Sequence, residues 1–208
     1  MLFFLGKDRV LLVVAIVFSV SHFAMSGTSG VEKLYQEYLF SWEALEQGYV
    51  SSVSSIVSVG SKVIVLPLTV GLFGERKAVA VIFVLAAMGY CSYAAAGLPG
   101  SVAISRDGRI GLYMTGAIVG RLFWLAIAIL RSIGSLAVEQ DQMGQFLGAM
   151  SVMETVSGLV APLLFNAIYE RSVGGFTGLT YLVAAVFPLL GCGMTLLCVP
   201  DAEAVRRR

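Results

Sequence analysis

Long apolar runs separated by short charged segments organise this chain of 208 residues. A helix that spans a membrane needs about 20 consecutive, mostly apolar residues. Six runs meet that length, at residues 10–28, 48–73, 78–98, 110–130, 143–169 and 177–200. The pattern predicts an all-α membrane protein, organised over residues 1–208 as a single domain of six transmembrane helices.

The composition supports this interpretation and excludes several classes of protein. Hydrophobic residues make up 58% of the chain and charged residues 13%, against about 25% charged residues in soluble domains. The formal net charge is only +1 and the basic residues are scattered, which argues against nucleic acid as a partner. Cys91, Cys192 and Cys198 lie in apolar runs without metal-binding or disulfide spacing, so no metal and no cofactor are expected.

The distribution of basic residues predicts the orientation in the membrane. If the first span enters from the cytoplasm, the cytoplasmic segments hold eight basic residues and the opposite segments four, namely Lys33, Arg106, Arg109 and Arg171. By the positive-inside rule both termini are cytoplasmic, and residues 31–47 lie on the other side. The alternative is that the first apolar run is a cleaved signal peptide, which would leave five spans.

A polar stripe is predicted on the second span. Its members recur at the spacing i, i+4, i+7 and i+11, which stacks them on one helix face: Ser51, Ser55, Ser58 and Lys62. Such a stripe predicts an aqueous cavity, because ionisable side chains inside membranes are costly and mark solute or ion pathways. The alternative is that Lys62 reaches the membrane surface or pairs with a carboxylate of a neighbouring helix.

The fifth span carries a carboxylate in an otherwise uncharged run, "SVMETVSGLVAPLLFNAIYE". Small and polar residues occupy one side of this helix, and larger apolar residues predicted to face lipid occupy the other: Phe146, Met153, Val156, Val160 and Leu164. Glu154 lies at the edge of the small and polar side. It is expected to be protonated, hydrated or paired with a cation, and Arg121 and Lys62 are the predicted partners.

Two arginines and one histidine complete the candidate pathway residues. Arg121 follows the Gly116 and Gly120 pair in the fourth span, and it is interpreted as a counter-ion for Glu154 or for an anionic solute, or as part of a structural ion pair. Arg131 ends that span, where orientation in the membrane alone would also place a basic residue. His22 is the sole histidine, and either packing or proton transfer explains it.

The aromatic residues Tyr35, Tyr38 and Trp42 follow the first span and are interpreted as a belt at the membrane interface. Three function classes remain: a secondary transporter, a membrane protein that acts only through helix association, and an intramembrane enzyme. The enzyme is disfavoured, because the G-x-S-x-G, H-E-x-x-H and paired-carboxylate patterns are absent from the sequence.

Four segments carry a family resemblance: "LYQEYLFSWEALEQGYVSS", "GLFGERKAV", "LRSIGSLAVEQDQMGQFLGAMSVMETV" and "APLLFNAIYE". In this combination the chain resembles the C-terminal half of a major facilitator superfamily transporter, and most of all its proton-coupled folate transporter-like branch. The resemblance implies that the six spans are helices seven to twelve of a twelve-helix protein. It implies no particular substrate.

The resemblance also implies roles for two residues. An arginine at the cytoplasmic end of helix ten and a histidine in helix seven serve substrate and proton handling in that branch, and Arg131 and His22 match them. The superfamily's first six helices have no counterpart here. Since such transporters bind solute between two six-helix halves, the expected partners are membrane lipid, a small organic solute, protons, and an N-terminal half or a second copy of the chain.

Overall fold

The computed structural model describes residues 9–99 and 104–199. Its elements in chain order are α1 (Arg9–Phe40), α2 (Ala44–Gly60), a π-helical turn (Ser61–Val65), α3 (Leu66–Ala96), α4 (Arg106–Gly120), α5 (Phe123–Leu136), a 3-10 turn (Gln140–Gln142), α6 (Met143–Ser172) and α7 (Leu179–Cys198). No strand occurs within these two ranges. The prediction of an all-helical protein is confirmed.

In the described part of the chain, five helical segments are long and apolar enough to cross a membrane: Val10–Phe40, Ala44–Ala96, Arg106–Leu136, Gln140–Ser172 and Leu179–Cys198. The second segment, which has 53 residues, contains the predicted span 48–73 and all but the last two residues of the predicted span 78–98. A straight helix of that length would measure about 80 Å, far more than the ~30 Å hydrocarbon core. Gly74 interrupts it with non-helical backbone angles, φ 75° and ψ 161°. Six separate spans are therefore not confirmed, although the break lies where the sequence predicts the end of one span.

The first helix is longer than predicted. It continues through Phe40, so most of the segment expected to lie outside the membrane is helical. Tyr35 is fully buried, not part of an interfacial belt, while Tyr38 is 51% exposed. The apolar side chains of Val31, Tyr35 and Phe40 all face the core, and this burial sustains the helix beyond the uninterrupted apolar run.

Close helix contacts hold the bundle together, with α1 against α6 and α3 against both α4 and α7. The small residues of the fourth span lie at one of these contacts. A Cβ added at Gly89 in α3 would lie 2.9 Å from the backbone nitrogen of Gly120, and one at Gly116 would lie 2.9 Å from the carbonyl oxygen of Gly89. Glycine is required on both sides because the two backbones approach so closely.

Residues 44–73 lie mostly on the outside of the bundle. Only Val50, Ser54 and Ser61 of this segment are buried, whereas Ile56 and Leu72 are 72% and 70% exposed. The π-helical turn falls in this segment and ends two residues before Pro67. Proline has no N–H to donate to the preceding turn, which loosens the regular helical hydrogen bonding there.

One prediction for the fifth span is wrong. Phe146 was expected to face lipid, but it is fully buried, and its ring fills the space over Gly134 that a Cβ would otherwise occupy. Val156 and Leu164, which were assigned to the same side, do lie on the outside of the bundle, where they are 53% and 48% exposed. Because Gly134 has no side chain, there is room for the Phe146 ring to pack inside the bundle.

Candidate functional site

Three helices bring the charged residues of the middle of the bundle together. His22 comes from α1, Arg131 from α5 and Glu154 from α6. The Arg131 guanidinium donates a hydrogen bond to Glu154 Oε1, and His22 Nε2 lies 3.9 Å from the same oxygen. We call His22, Arg131 and Glu154 the central cluster. Glu154 therefore pairs with Arg131, whereas the sequence analysis named Arg121 and Lys62 as its partners.

Neighbouring side chains fix the orientation of the central cluster. The Ser26 hydroxyl lies 3.2 Å from His22 Nδ1, so both ring nitrogens of the histidine have a polar neighbour. The Phe18 ring stacks on the imidazole at 6.0 Å between centroids, and the Arg131 guanidinium lies 5.4 Å from the centre of the Phe18 ring. The Phe18 ring thus lies against both the imidazole of His22 and the guanidinium of Arg131.

All three residues of the central cluster lie within helical segments that are long and apolar enough to span a membrane. Glu154 is 11 residues past Met143, the first residue of α6, and His22 is 12 residues past Val10. These spacings correspond to about 16–18 Å along each helix, whereas Arg131 lies five residues, about 8 Å, before the last residue of α5. These side chains are only partly buried, since His22, Glu154 and Arg131 keep 14%, 27% and 41% of their surface exposed.

A second cluster lies about 15 Å further along α1. Glu32 Oε1 accepts a hydrogen bond from the Tyr113 hydroxyl at 3.2 Å and faces Arg121 Nη2 at 3.5 Å. Gln36 in turn donates to the Tyr113 oxygen. We call Glu32, Gln36, Tyr113 and Arg121 the outer cluster, after the side of the membrane on which the predicted orientation places it.

Beside the outer cluster is a cavity of about 70 Å³. Its wall includes residues from α1, α3, α5 and α7 and from the short break between α4 and α5, among them Thr28, Glu32, Tyr90, Arg121, Trp124 and Tyr181. The break consists of Arg121 and Leu122, which form a turn and keep right-handed helical backbone angles, φ −66° and ψ −22° at Arg121.

The predicted stripe of the second span lies at the margin of this arrangement. Ser55 is exposed and its hydroxyl donates to the Ser51 carbonyl oxygen, while Ser58 is half-buried. Lys62 is exposed, and its Nζ lies 6.0 Å from the centre of the Trp124 ring. Among the described residues Lys62 forms no ion pair. Whether the stripe faces water stays a prediction.

Sequence reasoning missed Glu32, Phe18, Ser26 and the tyrosines around the cavity. Glu32 was assigned to a loop because the uncharged run ends near it. A signal was present, since Glu32 and Gln36 are spaced i, i+4 beside Val31 and Tyr35, which share the same spacing. That double periodicity is typical of a helix with one apolar and one polar contact face.

The central cluster is suited to proton exchange and to recognition of anions. The carboxylate and the imidazole are groups that can bind a proton, and the adjacent guanidinium is a group that can bind an anion. Within residues 9–99 and 104–199, no group of three histidine, cysteine, aspartate or glutamate side chains is arranged to hold a metal ion.

Two curated relatives indicate the class of protein. The chain is 27% identical over 199 residues to the lysosomal proton-coupled steroid conjugate and bile acid symporter of Gallus gallus, covering 93% of this chain and 40% of the relative. It is 25% identical over 179 residues to the class C tetracycline resistance protein of Escherichia coli, covering 84% of this chain and 39% of the relative.

The chain thus spans about two fifths of the length of these relatives. No family model matches it, and no solved structure is significantly similar. Both relatives are transporters of the major facilitator type. Together with the apolar helices, this similarity to transporters supports an integral, multi-pass membrane protein.

Proposed function

We propose that this chain forms the C-terminal half of a secondary active transporter that moves a small organic solute together with protons. The observation that carries the proposal is the central cluster, in which three candidate membrane-spanning helices place His22, Arg131 and Glu154 close together. Charged groups within membrane spans are costly, and they commonly mark a solute or proton pathway.

In the proposed mechanism Glu154 is the proton acceptor of the cluster. A proton that arrives at His22 Nε2 is 3.9 Å from the carboxylate oxygen, so a small movement brings donor and acceptor into hydrogen-bond distance. Protonation of Glu154 removes the negative partner of Arg131. The freed guanidinium is then available to an anionic group of the solute, which links solute binding to proton binding.

The solute pathway needs a second wall. Transporters of this type alternate access between two six-helix halves, and residues 44–73 and the small, polar face of α6 remain exposed in this chain. The proposed partner is an N-terminal six-helix half or a second copy of the chain. Expressed alone as a monomer, the chain should not catalyse concentrative transport.

Proton binding by Glu154 is testable on the chain alone. Difference infrared spectra of the full chain, recorded between acidic and alkaline buffer, should contain the C=O band of a protonated carboxyl group that Glu154→Gln lacks. Glu139→Gln is the matched control, because Glu139 is exposed outside the long helices. If the Glu154→Gln and wild-type spectra coincide, Glu154 binds no proton and the proposal fails.

Transport is the second test, and it needs the complete assembly. A bile acid and tetracycline are reasonable first probes in proteoliposomes with an imposed proton gradient, because the two relatives are named for them. Glu154→Gln should abolish gradient-driven uptake while solute exchange continues. Loss of both activities with an intact thermal transition would show that Glu154 does not act in proton coupling alone.

A non-transporting role through helix association is the second candidate function. It is supported by the exposed Ser151, Thr155 and Gly158 on α6, because small residues are typical of helix contacts in membranes. Under this alternative Glu154→Gln would lower thermal stability or change the oligomer mass in detergent, and it would leave the infrared carboxyl band unchanged.

A further inference from the structure

We propose that Ser26 is a positioning residue for proton transfer in the central cluster. Its hydroxyl group holds Nδ1 of His22 and thereby keeps the other ring nitrogen, Nε2, directed at Glu154. The inference rests on the proposed function, because it assigns a role in the proton step between His22 and Glu154. It concerns a residue that the mechanism described above does not use.

The hydroxyl group of Ser26 makes a different contact from its neighbours on α1. Hydroxyl side chains inside a helix commonly bond to the backbone of the preceding turn. The other serine and threonine side chains of α1 do so, each donating to a carbonyl oxygen three or four residues earlier: Ser19, Ser21, Thr28 and Ser29. Ser26 Oγ instead lies 3.2 Å from His22 Nδ1, and within the described part of the chain it bonds to no carbonyl oxygen.

The contact with Ser26 is the one that fixes the orientation of the imidazole. The Phe18 ring stacks on the imidazole at an interplanar angle of 16°, and this stacking would be the same if the imidazole turned over in its own plane. Such a turn would put a carbon where each nitrogen now lies. Nε2 is 3.9 Å from Glu154 Oε1, which is beyond hydrogen-bond distance. The hydrogen bond with Ser26 is therefore the polar contact that keeps Nε2 on the side of Glu154.

A hydroxyl group suits each protonation state of His22. It can donate a hydrogen bond to a bare Nδ1, and it can accept one from Nδ1–H. Among the described residues, the charged groups that act on the imidazole are Arg131 from α5 and Glu154 from α6. In the proton step the N–H bond at Nε2 breaks and an O–H bond forms on Glu154 Oε1, while the second proton of the imidazolium stays on Nδ1 and is donated to Ser26. Nδ1 thus has a partner before and after the transfer.

The first test is nitrogen-15 NMR of the full chain with ring-labelled histidine. His22 is the sole histidine, so its two ring nitrogens give the labelled signals. In alkaline buffer the Nδ1 signal of the wild type should show the displacement that a hydrogen bond causes, and Ser26→Ala should lose it. Ser19→Ala is the matched control, since Ser19 is a half-buried serine of the same helix whose hydroxyl group bonds to the backbone. Identical Nδ1 signals in Ser26→Ala and the wild type would overturn the proposal.

The second test measures the proton step itself. After a rapid drop in pH, time-resolved infrared spectra of the full chain follow the rise of the Glu154 carboxyl C=O band. Ser26→Ala should slow that rise by about two- to tenfold, the factor that corresponds to the loss of one hydrogen bond. Ser26→Thr keeps a hydroxyl group and should match the wild type, whereas Ser26→Val has the same shape without the hydroxyl group and should be slow. Ser19→Ala should also match the wild type.

The outcomes separate this inference from the proposed function. If the wild type has no Glu154 band, proton binding by Glu154 is refuted and the role of Ser26 is refuted with it. If the band is present but rises at the same rate in Ser26→Thr and Ser26→Val, whether fast or slow, only the role of Ser26 is overturned. A normal rate in Ser26→Thr and a slow one in Ser26→Val support the proposal, and this comparison decides even if Ser26→Ala fails to fold.

Discussion

The ion pair between Arg131 and Glu154 is predicted to stabilise the fold by a measurable but modest amount. The perturbation is a double-mutant cycle that consists of Arg131→Met, Glu154→Gln and the double variant. The pair links α5 to α6, which make few other contacts with each other. Its removal therefore tests the attachment of these two helices directly.

The magnitude follows from the exposure of the two side chains. Arg131 is 41% exposed and Glu154 is 27% exposed, so the pair lies between two limits. Fully exposed pairs contribute about 0.2–1 kcal/mol, whereas breaking a buried pair costs about 3–5 kcal/mol. We expect a coupling free energy of about 1–2 kcal/mol, because water and detergent screen part of the interaction.

The two single variants should differ. Arg131→Met leaves the Glu154 carboxylate with His22 at 3.9 Å as its remaining cationic neighbour, and that neighbour is charged only when protonated. Glu154→Gln leaves Arg131 against the face of Phe18, which still favours a cation. Arg131→Met should therefore destabilise the chain more than Glu154→Gln.

The assay is equilibrium unfolding of the full chain in mixed micelles of a mild and a denaturing detergent, followed by the fluorescence of its two tryptophans. Free energies of unfolding for the four proteins give the coupling term. If the two single effects add within about 0.3–0.5 kcal/mol, the residues do not interact energetically, and the contact would have no part in stability.

Three further predictions concern backbone geometry and orientation. Gly89→Ala should lower the free energy of unfolding by about 1–3 kcal/mol, because its Cβ would lie 2.9 Å from the backbone of α4. Gly111→Ala is the control and should be neutral or stabilising, because a Cβ there has no atom within 4 Å. Equal melting temperatures of the two variants would contradict this prediction. Gly74→Ala should cost about 1–3 kcal/mol, since φ 75° and ψ 161° suit only glycine, and thermal unfolding measures it. In a cysteine-free background, cysteines at the exposed Glu46 and Lys77 should be labelled from opposite sides of the membrane, Glu46 from outside the cytoplasm; labelling of both from one side would refute the predicted orientation.

Hydrophobic length was sufficient to predict the helices but not their ends. The first helix continues past the apolar run because Val31, Tyr35 and Phe40 pack inside the bundle. A pattern that mixes buried aromatic residues with exposed charges has too low a hydropathy to be recognised as a span. The break at Gly74 was anticipated from the charged residues that follow it, yet its conformation depends on the glycine.

The candidate site was predicted residue by residue and not as a set of contacts. His22, Arg131 and Glu154 were each named, but their mutual contact depends on how α1, α5 and α6 are rotated against each other. The spacing of residues along one helix shows which side chains share a face, but it does not show which other helix that face contacts. Phe146 shows the same limit, since the space opposite Gly134 is a property of two helices together.

The sparse packing of residues 44–73 has a consequence for how the protein is made. Partitioning of an apolar helix into the bilayer and its docking against other helices are separate stages of membrane protein assembly. This segment is apolar enough to partition into the bilayer, but few of its side chains pack against other helices. During biosynthesis it can be inserted early and remain undocked while the other helices assemble, which leaves its apolar surface open to a late-arriving subunit or to a chaperone within the membrane.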